Sequence, residues 1–319
     1  MKNNKLFLFT TIVLVVIVGF SMMGFTANKY KMGFAILHVD PFCKNMSDGA
    51  LEKAKELNVD LTIYNADNRI ENQIQQVENL ITKKVDAILL QAVDHNGCAF
   101  LVDNCKEAGV PIIVVNCDTT SPNMDTYVGS YDVEAGKIQA EWILENIGGD
   151  TGGNIAILFV PMGCTPQLQR YQGFKETLLD KYPNWKVLAE LPADSRRDKA
   201  MQITEDWLQT YGDKIDVIVA QNDEMAMGAV QAIKNHGITS IKVLGVDATE
   251  DAVQAVKDGE MAMTVFQDAR GQGAKAVEVA VGILEGKTYP KQIYIPFIPV
   301  TPENVDEFLP KKGEIQVTK

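Results

Sequence analysis

The chain has 319 residues, 42 of them acidic and 30 basic, for a formal net charge of −12. So acidic a surface repels phosphate backbones and excludes nucleic acid as a partner. Three histidines leave few groups for acid–base catalysis, and an odd count of five cysteines argues against a disulfide framework.

Lys2 and Lys5 open the chain, and Leu6 to Phe25 is an uncharged, mostly apolar run that exits through Thr26-Ala27. Residues 1–27 therefore read as a signal peptide. A run of 20 residues can also span a bilayer, so an uncleaved anchor is the alternative. Either way, the body of the protein is expected in the periplasm or at the cell exterior. Its length of about 290 residues predicts two domains.

From Gly33 onward, strand-like and helix-like runs alternate with short connections. Strands are expected at 33–39, 60–64, 87–90 and 111–115, and helices at 44–57, 70–84 and 96–108. The helices carry apolar residues at 3–4 spacing, as at Ile70, Ile74, Val77 and Ile81. A glycine-rich turn at 148–153 reads as a break between halves. The pattern then restarts, with strands at 154–160, 187–191, 217–220, 242–246 and 263–266. Helices alternate with them at 167–181, 199–211, 225–236 and 250–257. The strands are continuous apolar runs without polar alternation, the mark of parallel sheets covered on both faces. The expected fold class is α/β, with two doubly wound parallel-sheet domains facing one another.

Polar side chains collect where these strands end. Asp40 and Phe42 follow the first strand, Gln91 and Asp94 the third, and Asn116 and Asp118 the fourth. In the second half Arg170 is expected to open a helix. Asn222 ends one strand, Asp247 the next, and Gln267 the last. In the run Val217 to Gly228, Asn222 can donate and accept hydrogen bonds, while Asp223 reads as a helix N-cap. Open α/β sheets bind ligands at the carboxyl ends of their strands. Two such rims face to face make a cleft of carboxylates, amides and one guanidinium, with an aromatic floor from Phe42, Tyr131 or Phe266. Such groups suit carbohydrate, because planar polar groups bond vicinal hydroxyls while a ring covers the C–H face.

Other signals point away from chemistry. The run Gly271-Gln-Gly-Ala-Lys-Ala276 matches a dinucleotide fingerprint but lacks the acidic residue at the end of a following strand, so its glycines read as close helix packing. No cofactor is expected. Cys43, Cys117 and Cys164 fall near the cleft, close to His38, without the spacing of a metal site, and read as small apolar wall residues. An enzyme acting on sugars would need two carboxylates around a scissile bond, which is not the expectation for Asp40 and Asp247.

The sequence closely resembles the periplasmic sugar-binding proteins of the ribose/galactose type, the type I binding proteins that feed ABC transporters. The resemblance rests on Asp40-Pro41-Phe42, Ser47-Asp48-Gly49-Ala50, Asp94, Arg170 with Gly173-Phe174, the run Ala220 to Ala226, Gly245-Val246-Asp247 and Gln267. It implies a hinged two-domain fold whose C-terminal segments cross back through a multi-strand hinge. One domain would be 31–129 plus 268–296, the other 130–267 plus 297–319. Phe42, Arg170, Asn222, Asp247 and Gln267 fit the family's sugar-contacting residues, and Asp40 resembles the glucose/galactose members. With Gln91 and Asn116 these form the expected ligand-binding set. Where ribose binders carry a second Phe, an Asp-Arg pair and two further Phe, this chain has Cys43, Asn116-Cys117, Ser195 and Val246. These departures point away from ribose, toward an aldohexose, another pentose or a polyol. The expected role is capture of that ligand for a membrane permease. The alternative is a tethered subunit that presents it to a chemoreceptor or sensor kinase.

Overall fold

The computed structural model describes residues 30–309, so the leader or anchor expected at 1–27 lies outside the described residues. Among those described, no helix is long and apolar enough to cross a membrane. The first lobe runs β1 (Tyr30–Ile36), α1 (Pro41–Glu56), β2 (Val59–Asn65), α2 (Ile70–Thr82), β3 (Ala87–Leu90), α3 (Ala99–Glu107), β4 (Ile112–Val115) and β5 (Thr126–Gly129). The second continues with α4 (Asp132–Ile143), β6 (Gly153–Phe159), α5 (Thr165–Phe174), β7 (Trp185–Pro192), α6 (Arg197–Tyr211), β8 (Val217–Ala220), α7 (Asp223–Asn235), β9 (Lys242–Leu244), α8 (Glu250–Lys257) and β10 (Thr264–Phe266). Then α9 (Ala269–Leu284) and β11 (Gln292–Tyr294) return to the first lobe, and β12 (Ile298–Val300) to the second.

Both sheets are parallel and doubly wound. The first has the order β11-β5-β4-β3-β1-β2, the second β7-β6-β8-β9. Every residue of β3, β4 and β8 is buried, as continuous apolar runs demand when helices cover both faces. Bridges from Leu244 to Met263 and from Asp247 to Phe266 bring β10 alongside, and β12 pairs antiparallel to it. The chain thus passes between lobes at 129–132, 266–269 and 294–298.

Several sequence expectations shift. β5, α4, β11 and β12 have no counterpart in the periodic pattern, and the glycine-rich turn at 148–153 lies inside the second lobe, linking α4 to β6. α1 starts earlier than expected, at Pro41, whose fixed φ suits the first helical position, and Asp40 caps it by accepting from Cys43 N at 2.7 Å. α5 starts at Thr165, so Arg170 lies in the middle of a helix that gives way to a π-turn at Lys175–Leu179.

Two helix pairs use the same device. A Cβ at Gly49 would strike the backbone of Arg270, and one at Gly273 the carbonyl of Met46, so α1 and α9 touch backbone to backbone. Gly273 thus does the close helix packing expected of this run, whereas a Cβ at Gly271 would meet only the Asp268 side chain that caps α9. In the second lobe a Cβ at Gly136 would strike the carbonyl of Arg170, and one at Gly173 that of Val133. That crossing of α4 and α5 fixes the height at which Arg170 leaves its helix. Gly136→Ala should therefore destabilise the protein by about 1–3 kcal/mol through overpacking. Urea denaturation checks it, and an unchanged midpoint would show that the two helices can separate freely.

Candidate functional site

The carboxyl ends of both sheets face one another across a cavity of about 40 Å3. All eight expected residues line it: Asp40, Phe42, Gln91 and Asn116 from the first lobe, and Arg170, Asn222, Asp247 and Gln267 from the second and its crossing. Gln91, Asn116 and Gln267 come directly after β3, β4 and β10, which is where parallel strands deliver side chains into a crevice.

These groups differ in what they have left to offer. The Gln91 amide is spent, accepting from Leu37 N at 3.0 Å and donating to Asn116 Oδ1 at 2.9 Å. Asn116 in turn donates to Gln272 Oε1 at 3.3 Å. Arg170 is almost fully buried. Its Nε donates to Asp132 Oδ1 at 2.7 Å, Nη1 to the Gln221 carbonyl, and Nη2 to Gln267 Oε1 at 3.0 Å. A guanidinium carries five N–H donors, so two remain. Gln267 Nε2 is buried with no partner among the described residues. Asn222 spends its Oδ1 on Met225 N at 3.1 Å, capping α7, and keeps its amide N–H groups.

Asp247 is the free acceptor. Burial drives its carboxyl well above the ordinary carboxylate range; Arg170 opposes that, while Asp223, Asp40 and Asp132 add to it. Its backbone is at φ 125° and that of Asn116 at φ 61°, conformations that non-glycine residues adopt at a cost of roughly 1–3 kcal/mol. Ser195, a third cavity residue, is at φ 58°, and strain kept at three cavity residues marks a surface shaped for something other than stability.

At the mouth, His38 lies between Asp40 Oδ2 at 2.9 Å and Asn68 Oδ1 at 3.0 Å. Burial pushes the imidazole down, but the bond and charge of Asp40 prevail and raise it. Asp40 is lowered in return: burial pushes its carboxyl up, but the bond and charge of His38 and the bonds from Cys43 together outweigh it. Ligand atoms of His38, Asp40 and Cys43 come within 4.8 Å of one another. The ion pair and the helix cap already use Asp40, and burial pushes the Cys43 thiol up, away from the thiolate that a soft metal takes. Cys43, Cys117 and Cys164 all line the cavity, though Cys43 belongs to α1 rather than to a loop.

Three expectations need correction. The N-cap of α7 is Asn222; Asp223, one residue on, turns inward to accept from Thr264 Oγ1 at 2.6 Å and Thr249 N at 2.8 Å. Tyr131 is half-exposed against Tyr294, and Phe266 packs on Phe308, so of the three proposed rings Phe42 alone reaches the cavity. Val246 is buried in the core of the second lobe. Sequence reasoning also missed Asp132, the partner of Arg170, because α4 itself was not recognised. The polar Ser130-Tyr131-Asp132 after a short apolar run was the available signal.

Fold and cavity together define a two-lobed α/β protein built to enclose a small polar solute. The periplasmic binding protein domain matches residues 37–288, and the chain belongs to that family. It is 32% identical over 276 residues to the xylitol-binding protein of Mycolicibacterium smegmatis, covering 86% of this chain and 78% of that one. It is 32% identical over 269 residues to the ribose import binding protein of Bacillus subtilis, covering 84% and 86%. An ABC transporter solute-binding protein from Bacillus halodurans with bound myo-inositol superposes with a TM-score of 0.83 at 35% identity, covering 88% of this chain and 98% of that one. These relatives are binding proteins, in a family named for the periplasm.

Asp223 offers a pH test of the scaffold. Burial pushes its carboxyl up to about 7, against the hydrogen bonds from Thr264 and Thr249. A carboxyl raised in the fold holds its proton better folded than unfolded. Its contribution is therefore full below 3.8 and is lost as pH rises toward about 7. Asp223→Asn removes this titration, so the melting temperature of the variant minus that of the parent should rise across that interval. A difference independent of pH would show that Asp223 is ionised throughout.

Proposed function

We propose that the protein captures a polyol or monosaccharide between its lobes and delivers it to the membrane permease of an ABC transporter. The observation that carries this reading is the unspent hydrogen-bonding capacity of the cavity between the lobes. Two Arg170 donors, Gln267 Nε2, the Asn222 amide and the Asp247 carboxylate converge on one space. Hydroxyl groups both donate and accept, so a polyhydroxylated ligand satisfies this mixture, and Phe42 supplies a face for its C–H groups. We assign Asp40, Phe42, Gln91, Asn116, Arg170, Asn222, Asp247 and Gln267 as the ligand-binding residues, the first two amides mainly shaping the wall. The domains are then 31–129 plus 268–296 and 130–267 plus 297–319, hinged at the three crossings. Asp40 is committed to His38 and to the start of α1, and the relatives are binding proteins, which supports binding over catalysis. Export places it outside the cytoplasm. A relative named for xylitol and a solute-binding protein with bound myo-inositol support this role over a tethered sensor.

A thermal-shift panel of pentoses, hexoses, deoxy sugars and polyols tests the assignment. A ligand at about 100 times its Kd stabilises the fold by about 2.7 kcal/mol. A panel in which nothing shifts would remove sugars and polyols as the ligand class. Because rings at Cys43 and Ser195 are missing, ribose should bind about tenfold or more weaker than the best member, a gap of ~1.4 kcal/mol. Calorimetry giving ribose the tightest affinity would overturn that ordering.

Asp247→Asn should separate stability from binding. It relieves a buried, unpaired carboxyl while keeping a residue type that tolerates positive φ. The ligand-free variant should melt no lower than the parent, and its affinity should fall by about 1–3 kcal/mol for the lost charge-assisted bonds. Undiminished affinity would take Asp247 out of the site.

Closure follows because the contacts are divided between the lobes, so only the closed state makes all of them. Saturating ligand should reduce the radius of gyration in small-angle scattering. An unchanged radius would mean a rigid cleft.

A further inference from the structure

Cys117 follows β4 in the first lobe, and Cys164 precedes α5 in the second. Both are buried, both line the cavity, and neither is in a disulfide. Their sequence neighbours are bonded across the same seam. Asp118 N donates to Thr165 Oγ1 at 3.0 Å, the Thr165 hydroxyl donates to the Asp118 carboxylate at 2.6 Å, and His95 N donates to the Gly163 carbonyl at 2.9 Å. These bonds hold the two backbones side by side and set both thiols on the wall of one small cavity, each donating within its own lobe, Cys117 to Asn116 Oδ1 at 3.3 Å and Cys164 to the Pro161 carbonyl at 3.0 Å. The remaining cysteines make contacts within the first lobe: Cys43 meets Gln91, Cys98 meets Gln73, and Cys105 lies in α3.

The two thiols are not equivalent. The contact with Cys117 holds Cys164 below an ordinary thiol against its burial, with Arg170 adding to the effect. The same contact and burial push Cys117 well up. Cys164 also stands at the N-cap of α5, a helix end that favours a thiolate, which makes it the nucleophile and Cys117 the group that follows.

We propose that Cys117 and Cys164 form a modification site for small disulfides, which convert the pair into an interlobe disulfide that fixes the cavity shut. The lock rests on the closing-cleft reading above; the linkage itself does not. The open form admits the reagent. The Cys164 thiolate attacks one sulfur of the disulfide RSSR and expels RS⁻, giving a mixed disulfide. Cys117, losing its proton, attacks the Cys164 sulfur and expels the second RS⁻. Two protein thiols are oxidised, RSSR is reduced to two RSH, and the thiol protons end on the leaving groups. A protein held this way neither loads nor unloads, so its transport role would stop under oxidising conditions and resume on reduction.

The test uses the full chain, reduced and ligand-free, equilibrated with glutathione and glutathione disulfide at graded ratios. Peptide mass mapping should show loss of two hydrogens and a single linkage, Cys117 to Cys164. Cys117→Ser and Cys164→Ser should each abolish it. Small-angle scattering of the oxidised parent should give a radius of gyration below that of the reduced, ligand-free protein. A linkage through Cys43, Cys98 or Cys105, or glutathione adducts without a crosslink, would overturn the pairing. A crosslinked protein with the radius of the reduced form would overturn the lock. Binding of xylitol and myo-inositol to the reduced protein tests the cavity's function separately, since the mass map does not depend on any sugar.

Discussion

A guanidinium cannot be taken out of water without partners, and the burial of Arg170 organises the second lobe around that requirement. Its three hydrogen bonds reach the start of α4 at Asp132, the end of β8 at the Gln221 carbonyl, and the end of β10 at Gln267. Deleting one partner of such a buried pair costs about 3–5 kcal/mol, because the other charge is stranded. The backbone contact at Gly136 sets the position of the helix that carries the arginine. Three separate chain segments are thereby pinned to one planar group, and the cavity wall is what they build. The Asp132 carboxyl feels the same tension: burial pushes it up, Arg170 pulls it down, and its Oδ2 is left without a partner among the described residues.

Around this fixed group the site keeps features that a stability-optimised core would discard. The Asp247 carboxyl is buried with no hydrogen-bond partner among the described residues and its backbone is strained in φ, held there by its own bonds to the Val265 carbonyl at 2.8 Å and from Gln267 N at 3.3 Å as well as by its neighbours. Asp223 ties Thr249 and Thr264 together, and a Cβ at Gly245 would strike its carboxylate. The segment 245–249 is therefore clamped on both sides of Asp247. The scaffold bonds carry the cost of the buried, unpaired acceptor, which is the general bargain between stability and binding. Gln91 and Asn116 show the opposite allocation. They are cavity residues whose amides are satisfied by the protein, so their effect on a ligand is one of shape.

Much of this was legible in the sequence because parallel sheets impose a simple rule. Strands covered on both faces must be apolar throughout, so the first polar residue after each run marks the carboxyl end. That rule placed Gln91, Asn116, Asp247 and Gln267 at one cavity, with Asn222 one residue beyond the polar Gln221 that ends its strand. It failed where the local signal was short or shifted by one residue. β11 and β12 have three residues each, too few for any period. Asn222 and Asp223 are both good caps, and only the tertiary contact with Thr249 and Thr264 decides which of them turns inward. The aromatic floor failed for a different reason. Tyr131 and Phe266 flank the crossings, where one residue's difference in direction separates cavity from surface. α4 escaped notice because its buried face is built from Ala135, Gly136, Gln139 and Ala140, small or polar residues that permit the close approach to α5 but carry little periodic signal.

The crossings also explain why site and motion cannot be separated. Asp132 begins α4 immediately after the first crossing, and Gln267 lies within the second. Both are bonded to Arg170. On the first-lobe side, Ser130 accepts from Gln272 Nε2 at 3.1 Å, and Gln272 in turn accepts from Asn116. The hydrogen-bonded chain Gln91–Asn116–Gln272–Ser130 therefore runs from a cavity wall into the first crossing, while Asp132–Arg170–Gln267 spans the first and second from the other wall. A rotation of the lobes about these segments changes backbone angles at the residues that hold both networks. Ligand bonded to Asn116's wall and to Gln267 would resist that rotation directly, at the pivot as well as at the rim. Affinity and hinge angle are then set by the same few side chains, and substitutions at Ser130 or Gln272, neither of which lines the cavity, would still alter binding by changing the balance between open and closed forms.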